Sequence, residues 1–591
     1  MKKLIISLIS VLGALPFVSC DDLFEPALEN VRDENAMQKD PSQFDGMLRS
    51  AYLLMPYGTG PATTDVATDD AVTNNMSNNW LNMAVGGWTS KSWESTCNWR
   101  DRNASIQFCN VFLNGVANVR WANEEIVNQL YINRLSGEAY ALRAMNMYFL
   151  LQNYGGKTAS GQLLGVPIWT EAYDATTDMN VPRNTFAECM QQIFSDIDKA
   201  LELLPYDYGE VTSSSNVPQK YKDMGAGMTE YNRVFGENGI GRISGKIAEA
   251  VRAQAALLAA SPAFGDQSGV DWATAAHYAG IVLDHIGGVA GMSSKGHLWY
   301  TPGEVGNTGN TVNHDEIIWR GNFSDNNDLE KENFPPSLYG NGRINPTQNL
   351  VDAFPMANGY PIHDSRGYFD ESNPYDNRDP RLSNYIVYNG SVQGPSSQTI
   401  NTSSTSATND GLNKELGHST RTGYYMRKFL RDDCNPNSAV NTVQRHYTKY
   451  IRYTEIFLAY AEAANEAYGP TGSGEHPYSA YDVIKAIRKR AGVGVDNSDP
   501  YLEQAKNNKE DFKKLIRNER RLELCFENVR FWDLRRWNEP LNETARGVDI
   551  SGNDYNYIDV EQRLYNPYMI YGPIPFDDVL KFSNLEQNQG W

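Results

Sequence analysis

The chain has 591 residues and a formal net charge of −20, from 52 lysines and arginines against 72 aspartates and glutamates. That balance argues against a nucleic-acid partner and against attraction to anionic headgroups, both of which call for excess cation. The length is enough for a large core or several domains, and the six cysteines leave five, an odd number for a disulfide framework, once Cys20 is set apart.

Lys2 and Lys3, the apolar run 4–15 and small Ser19 predict an export signal over residues 1–19. The run is too short to span a bilayer as a stable helix, and no other stretch is long and apolar enough to do so. The Ser-Cys ending is similar to a bacterial lipoprotein signal, although Phe17 stands where such signals usually carry leucine. It implies an acylated Cys20 opening a lipid-anchored tether, residues 20–40, followed by one globular domain over 41–591.

Residues 41–57 read as a first helix broken at Pro56. Residues 58–99 are too rich in Gly, Asn, Ser and Thr for regular structure, yet hold Trp80, Trp88, Trp93 and Trp99. Disordered segments are poor in aromatics, so this long loop reads as functional. Amphipathic helices follow at 104–119, 124–154, 182–204 (Asn184 or Thr185 as N-cap), 241–260 and 271–286. Residues 290–445 break the pattern, with short β-like pieces at 316–320 and 384–388 and an almost structureless run at 401–411. Helices resume at 451–467, 480–493 and 512–537.

The last helix places Leu515, Leu522, Phe526 and Val529 on one face and Glu519, Glu523 and Glu527 on a stripe of like charge. Such a stripe is unfavourable unless cations answer it, and Arg520, Arg530, Arg535 and Arg536 are the nearby candidates. Phe531, Trp532 and Trp537 form an aromatic anchor beyond it. About eight helices in four pairs, without a clean period, predict an all-α scaffold of four degenerate tetratricopeptide-like hairpins with irregular segments, about 58–103 and 290–445, packed on one side.

The run ERRLELCFENVRFWDLRRW (519–537) resembles the signature near the C-terminus of the SusD/RagB family of outer-membrane nutrient-binding lipoproteins. Further likenesses are CDD at 20–22, GEAYALRAMNMYFLLQNYGG at 137–156 with GVPI at 165–168, and SPAF at 261–264. DNRDPRL at 376–382, IRYTEIFLAYAEAANEA at 451–467, AYDVIKAIRKRAGV at 480–493 and the closing IPFDDVLKFSNLEQNQGW complete the set. The resemblance implies a cell-surface protein on the outer membrane that captures oligosaccharides for a SusC-like TonB-dependent transporter. Some members of the family bind peptides instead, and that alternative stays open.

No nucleophile elbow, HExxH motif or P-loop is present, and no cofactor is implied. Glu519 with Glu523, or Asp69 with Asp70, have spacings compatible with acid–base pairs, but the glutamates lie among arginines that would hold them ionised. No cysteine has zinc-ligand spacing, no two histidines pair at ligand spacing, and turn chemistry explains Asp65, Asp69, Asp70, Asn74 and Asn75 as well as calcium would. Cys109, Cys189 and Cys525 read as small buried apolar residues, and Cys97 could meet Cys109 if the fold allows.

Binding is the positive case. Sugar rings need flat aromatic platforms beside amides and charged groups. One such cluster is Trp80, Trp88, Trp93 and Trp99 with Asn98, Arg100 and Asn103; a second is Trp299, Tyr300, Trp319, Arg320 and Tyr339.

Overall fold

The computed structural model describes residues 38–57, 64–92, 98–299, 314–496, 498–552 and 554–591. The expectations for the signal, for Cys20, Trp93, Cys97 and Tyr300 lie outside the described residues.

Among the described residues the fold is carried by α1 (Pro41–Leu53), α2 (Trp99–Gly115), α3 (Glu125–Tyr154), α4 (Phe186–Leu203), α5 (Gly245–Ala260), α6 (Trp272–Asp284), α7 (Tyr453–Tyr468), α8 (Ala480–Arg490), α9 (Lys509–Glu523) and the short α10 (Arg530–Arg536). Their starts are written locally. Thr185 caps α4 in a reciprocal box with Glu188, Asp271 caps α6 by accepting from the Thr274 N–H at 2.8 Å, and Ser479 boxes with Asp482 at the head of α8. Each helix from α2 to α7 packs on the next, and α8 and α9 close the array against α7. This is the tetratricopeptide-like stack. Its third pair, α6 and α7, is split in sequence by the long irregular insertion and rejoined in space.

The irregular half holds only small two-stranded sheets among the described residues. Strands β1 (Ala71–Thr73), β2 (Ile317–Arg320), β3 (Ser324–Asn326), β4 (Ile344–Pro346), β5 (Gln444–His446) and β6 (Lys449–Arg452) pair antiparallel as β1 with β4, β2 with β6 and β3 with β5. Two expectations are corrected, and a third, the structureless run, is met with close packing. Within the loop 58–99, β1 and a short helix at Asn79–Asn82 are regular, because Val72 and its neighbours enter a core and Asn78 caps the helix. The piece 384–388 is strand only at Ile386–Val387, since Asp379 and Pro380 start a helix that runs to Tyr385. The run 401–411 lacks regular structure but is packed: Thr402 and Asp410 are buried, and Tyr425 Oη donates to the Asp410 carbonyl at 2.9 Å. A hairpin that the pattern did not reveal, β7 (Ala545–Ser551) with β8 (Asp554–Glu561), covers this side.

Two apolar clusters result, one within the helices and one among residues 66–71, 334–430 and 522–550. Helix α9 serves both, sending Phe512, Leu515 and Ile516 into the first and Leu522 into the second. It stops at Glu523 rather than continuing to Trp537. Phe526 and Asn528 take left-handed backbone angles (φ 61° and 63°), and the turn restarts as α10.

The glutamate stripe is answered from afar, not by its neighbours. Glu519 meets Arg488 at 2.6 Å and Arg381 at 2.9 Å; Glu523 meets Arg490 at 2.5 Å and Arg381 at 3.1 Å. Glu527, on the turn, meets Lys428 and Lys449 at 2.6 Å each and Arg452 at 2.8 Å. These carboxylate side chains have no solvent exposure. Burial by itself would raise Glu523 and Glu527, but the surrounding guanidinium and ammonium groups outweigh it and hold both far below the usual carboxylate range. The local arginines have other duties. Arg520 binds Asp533 at 2.7 Å, Arg530 binds Asp69 at 2.8 Å, Arg536 binds Glu462 at 2.6 Å, and Arg535 lies over the Phe531 ring.

Candidate ligand-binding site

Beside this seam, where the helices meet the irregular half, lies a cavity of about 480 Å³, a size typical of small-molecule sites. Its walls come from many segments, and those named next supply most of the rings and amides. The end of α1 brings Met55 to Tyr57, the short helix brings Trp80, α3 brings Tyr148 to Asn153, and α5 brings Gln254. The link between β5 and β6 and the start of β6 contribute Tyr447 to Tyr450, and the α9–α10 turn with the start of α10 contributes Phe526 to Val529 and Trp532.

The aromatic part is built ring upon ring. Tyr57 stacks on Tyr450 with centroids 4.6 Å apart and meets Phe149 edge-on at 5.6 Å. Trp319 stands edge-on behind both tyrosines, at 5.5 Å and 5.1 Å. On the other side Trp80 lies edge-on to Phe531 at 5.1 Å, and Trp532 meets the same ring at 4.9 Å. The polar part mixes amides (Gln152, Asn153, Gln254, Asn528) with charges that are largely paired inside the protein. Arg536 holds Glu462 through two bonds of 2.6 Å, and Gln254 donates to Glu455 at 2.6 Å.

Three buried polar atoms on residues lining this cavity make no hydrogen bond to the described residues: Tyr57 Oη, Gln254 Oε1 and Arg520 Nη1. Buried polar groups are nearly always paired, so atoms of this kind mark where water or a ligand supplies the partner. Together they offer a hydroxyl, an acceptor and a cationic donor beside aromatic faces. Beneath the floor, Asp65 takes the Asn528 N–H at 3.1 Å while burial, with Asp70 nearby, pushes its carboxyl up to about 7.

Of the residues that the sequence singled out, Trp80 and Asn98 line the cavity. Trp299 reaches it indirectly, edge-on at 4.7 Å to Phe429, which forms part of the wall. Four placements correct the sequence reading. Trp88 is only 3% exposed, wedged among Phe531, Tyr565 and Trp591 at the C-terminal end of the chain. Trp99 opens α2 with its ring buried edge-on to Tyr154 at 4.9 Å. Trp319 is 1% exposed and donates Nε1–H to the Gly241 carbonyl at 2.9 Å, which fixes it as core. Arg320 is buried over the Phe323 ring, 3.7 Å from its centroid. Arg100 and Tyr339 are exposed but stand outside the cavity walls, and Asn103 turns back to the Trp99 carbonyl at 3.0 Å. Of the residues weighed for acid–base or calcium roles, Asp69 pairs with Arg521 and Arg530 at 2.8 Å each and Asp70 with Arg521 at 2.6 Å.

Tyr57, Tyr450, Gln254 and Arg520 carried no sequence signal for this role. Each sits in a segment that reads as ordinary core or helix surface, and only the packing of distant segments brings them together.

The sequence model described as "SusD family" matches residues 299–591, and a second, described as "Starch-binding associating with outer membrane", matches residues 32–219. The chain belongs to the SusD/RagB family. A SusD-like protein P2 of Formosa agariphila is 33% identical over 156 residues, a stretch that spans 25% of this chain and only 27% of that relative. Solved structures agree on the fold. A SusD-like protein of Bacteroides fragilis superposes with a TM-score of 0.68 at 22% identity, covering 96% of this chain and all of that one. A SusD-like carbohydrate binding protein of the same species gives 0.67 at 21% identity, covering 93% of this chain and 100% of that one. A laminarin binding SusD-like protein gives 0.54 at 17% identity, covering 94% and 100%.

Proposed function

We propose that this protein captures oligosaccharides in the seam cavity and hands them to a SusC-like TonB-dependent transporter of the outer membrane, to which a lipid on Cys20 tethers it. The carrying observation is the cavity itself. Stacked tyrosines and Trp80 supply faces for sugar C–H groups, and Tyr57 Oη, Gln254 Oε1 and Arg520 Nη1 are buried beside them with hydrogen-bonding capacity to spare. Descriptions of relatives as carbohydrate binding support the ligand class. The role is binding without chemistry: the seam carboxylates are locked to cations, and a locked carboxylate lends no proton.

The test is calorimetric titration of the full chain with a panel of oligosaccharides, with the ligand then recovered and its length checked. Saturable binding with intact ligand is the expected result. Shortened ligand would replace this reading with a hydrolase, and binding confined to peptides would replace the sugar with the family's other ligand class.

A further inference from the structure

Behind the cavity wall the fold assembles a group that no spacing in the sequence announces. Glu330, Cys434 and His446 come from three separate segments, and their ligand atoms all lie within 4.8 Å of one another. All three residues are buried. Glu330 lies in the short helix Asp328–Asn333, Cys434 in the turn after Arg431, and His446 at the end of β5.

The hydrogen bonds orient these groups as a metal site would. His446 Nδ1 is 2.9 Å from the Gln444 carbonyl, an acceptor only, so that nitrogen carries the ring hydrogen. Nε2 is thereby aimed at Glu330 Oε1, 3.0 Å away. A second proton or a cation must lie between a ring nitrogen and a carboxylate held so close. A metal-bound histidine usually has one ring nitrogen donating to a carbonyl or carboxylate, as Nδ1 does here, which turns the other nitrogen to the ion. The Arg431 N–H donates to the same Glu330 oxygen at 2.7 Å, while the Arg431 side chain turns away onto Asp433 with two bonds of 2.8 Å. Its guanidinium is therefore committed elsewhere. Cys434 brings its sulfur to 3.9 Å from the Asn326 carbonyl, an oxygen that could complete a fourth position, as could a water.

We propose that Glu330, Cys434 and His446 form a structural site for a borderline-soft divalent cation of the zinc class. A thiolate, an imidazole and a carboxylate are the ligand types zinc takes, at about 2.0–2.3 Å. On binding, Cys434 loses its proton to solvent and the cation's two charges balance the thiolate and the carboxylate, which makes a neutral buried site. The ion ties the segment before Phe334, the 431–434 turn and β5 together. Leu329 and Tyr447, each adjacent to a ligand, face the cavity, so the ion would brace that wall from behind.

The test measures metal in the purified full chain by plasma mass spectrometry, without chelator in any step. About one zinc per chain is expected, with a thermal midpoint that falls on chelation and returns when zinc is added. Cobalt in place of zinc should give a thiolate-to-cobalt charge-transfer band that Cys434→Ser abolishes and Cys189→Ser keeps. Should Cys434→Ser fail to fold, His446→Gln must shift or remove the band. A folded chain that retains no metal, gives no cobalt band and ignores added zinc would overturn the proposal and leave a hydrogen-bonded triad only.

Discussion

The seam and the cavity share the α9–α10 turn and use polar groups in opposite ways. In the seam, Glu519, Glu523 and Glu527 each meet at least two cations, and those cations are braced in turn, Arg381 by Asp379 at 2.6 Å and Arg452 by Glu316 at 2.8 Å. Nearby, Arg520 and Gln254 each keep an atom with no hydrogen bond to the described residues, beside the rings that line the cavity. The ion pairs of the seam fix one arrangement of two halves that have separate apolar clusters, with Glu519 Oε2 and Glu316 Oε2 held by charge and not by hydrogen bonds. The spare atoms on the cavity's lining residues lie instead beside space that a ligand can enter. Glu527 belongs to both regions, since it lines the cavity while three cations hold its carboxylate.

The largest effect should come from breaking the seam. Glu523→Ala leaves Arg381, Arg452 and Arg490 facing a buried void, and removal of one partner from a buried charge network costs about 3–5 kcal/mol. Denaturant unfolding should show that loss. A change below about 1 kcal/mol would mean that the three cations find other partners and that the seam does not join the halves.

Asp65 sharpens the contrast because it lies where the two regions meet. Its folded carboxyl titrates near 7 against an ordinary 3.8. The native state therefore keeps a proton that the unfolded chain gives up. The stability from that proton is complete below about pH 4 and is lost as pH rises through about 7. Asp65→Asn should remove this dependence and stabilise the protein at pH 8 by up to roughly 4 kcal/mol, with the advantage vanishing near pH 4. Parallel wild-type and variant curves over that range would show that Asp65 is ionised in the fold.

A smaller effect belongs to the cavity. Tyr57→Phe removes a hydroxyl that makes no hydrogen bond to the described residues, so stability should stay within about 0.5 kcal/mol of wild type. Oligosaccharide affinity should fall about fivefold, the worth of one hydrogen bond near 1 kcal/mol. A stability loss with unchanged affinity would make Tyr57 a core residue.

The helices were legible because their apolar spacing and caps are local: Thr185 with Glu188 and Asp271 with Thr274 fix their helix starts within four residues. The seam was half legible. The stripe demanded cations, but the nearest arginines proved to be spent on Asp69, Glu462 and Asp533, and the true partners lie up to about 140 residues away. Four of those partners, Arg381, Arg452, Arg488 and Arg490, occupy segments that carried the family resemblance, DNRDPRL, IRY and RKRAG, so these motifs supply much of the buried network. The site was least legible. A tryptophan in an irregular segment looks the same whether it becomes core, as Trp88 and Trp319 do, or faces a cavity, as Trp80 does. Likewise Glu330 and His446 are 116 residues apart, a separation that no spacing rule would have joined.

The most direct test compares two aromatic residues from the original candidates, one on the cavity and one off it. Oligosaccharide titrations of Trp80→Ala and Tyr339→Ala should separate them. Trp80→Ala should lose at least about tenfold in affinity, 1.4 kcal/mol or more, while Tyr339→Ala, at a side chain 59% exposed and away from the walls, should stay within about twofold, or 0.4 kcal/mol. Retained affinity in Trp80→Ala together with loss in Tyr339→Ala would contradict the seam cavity as the binding site.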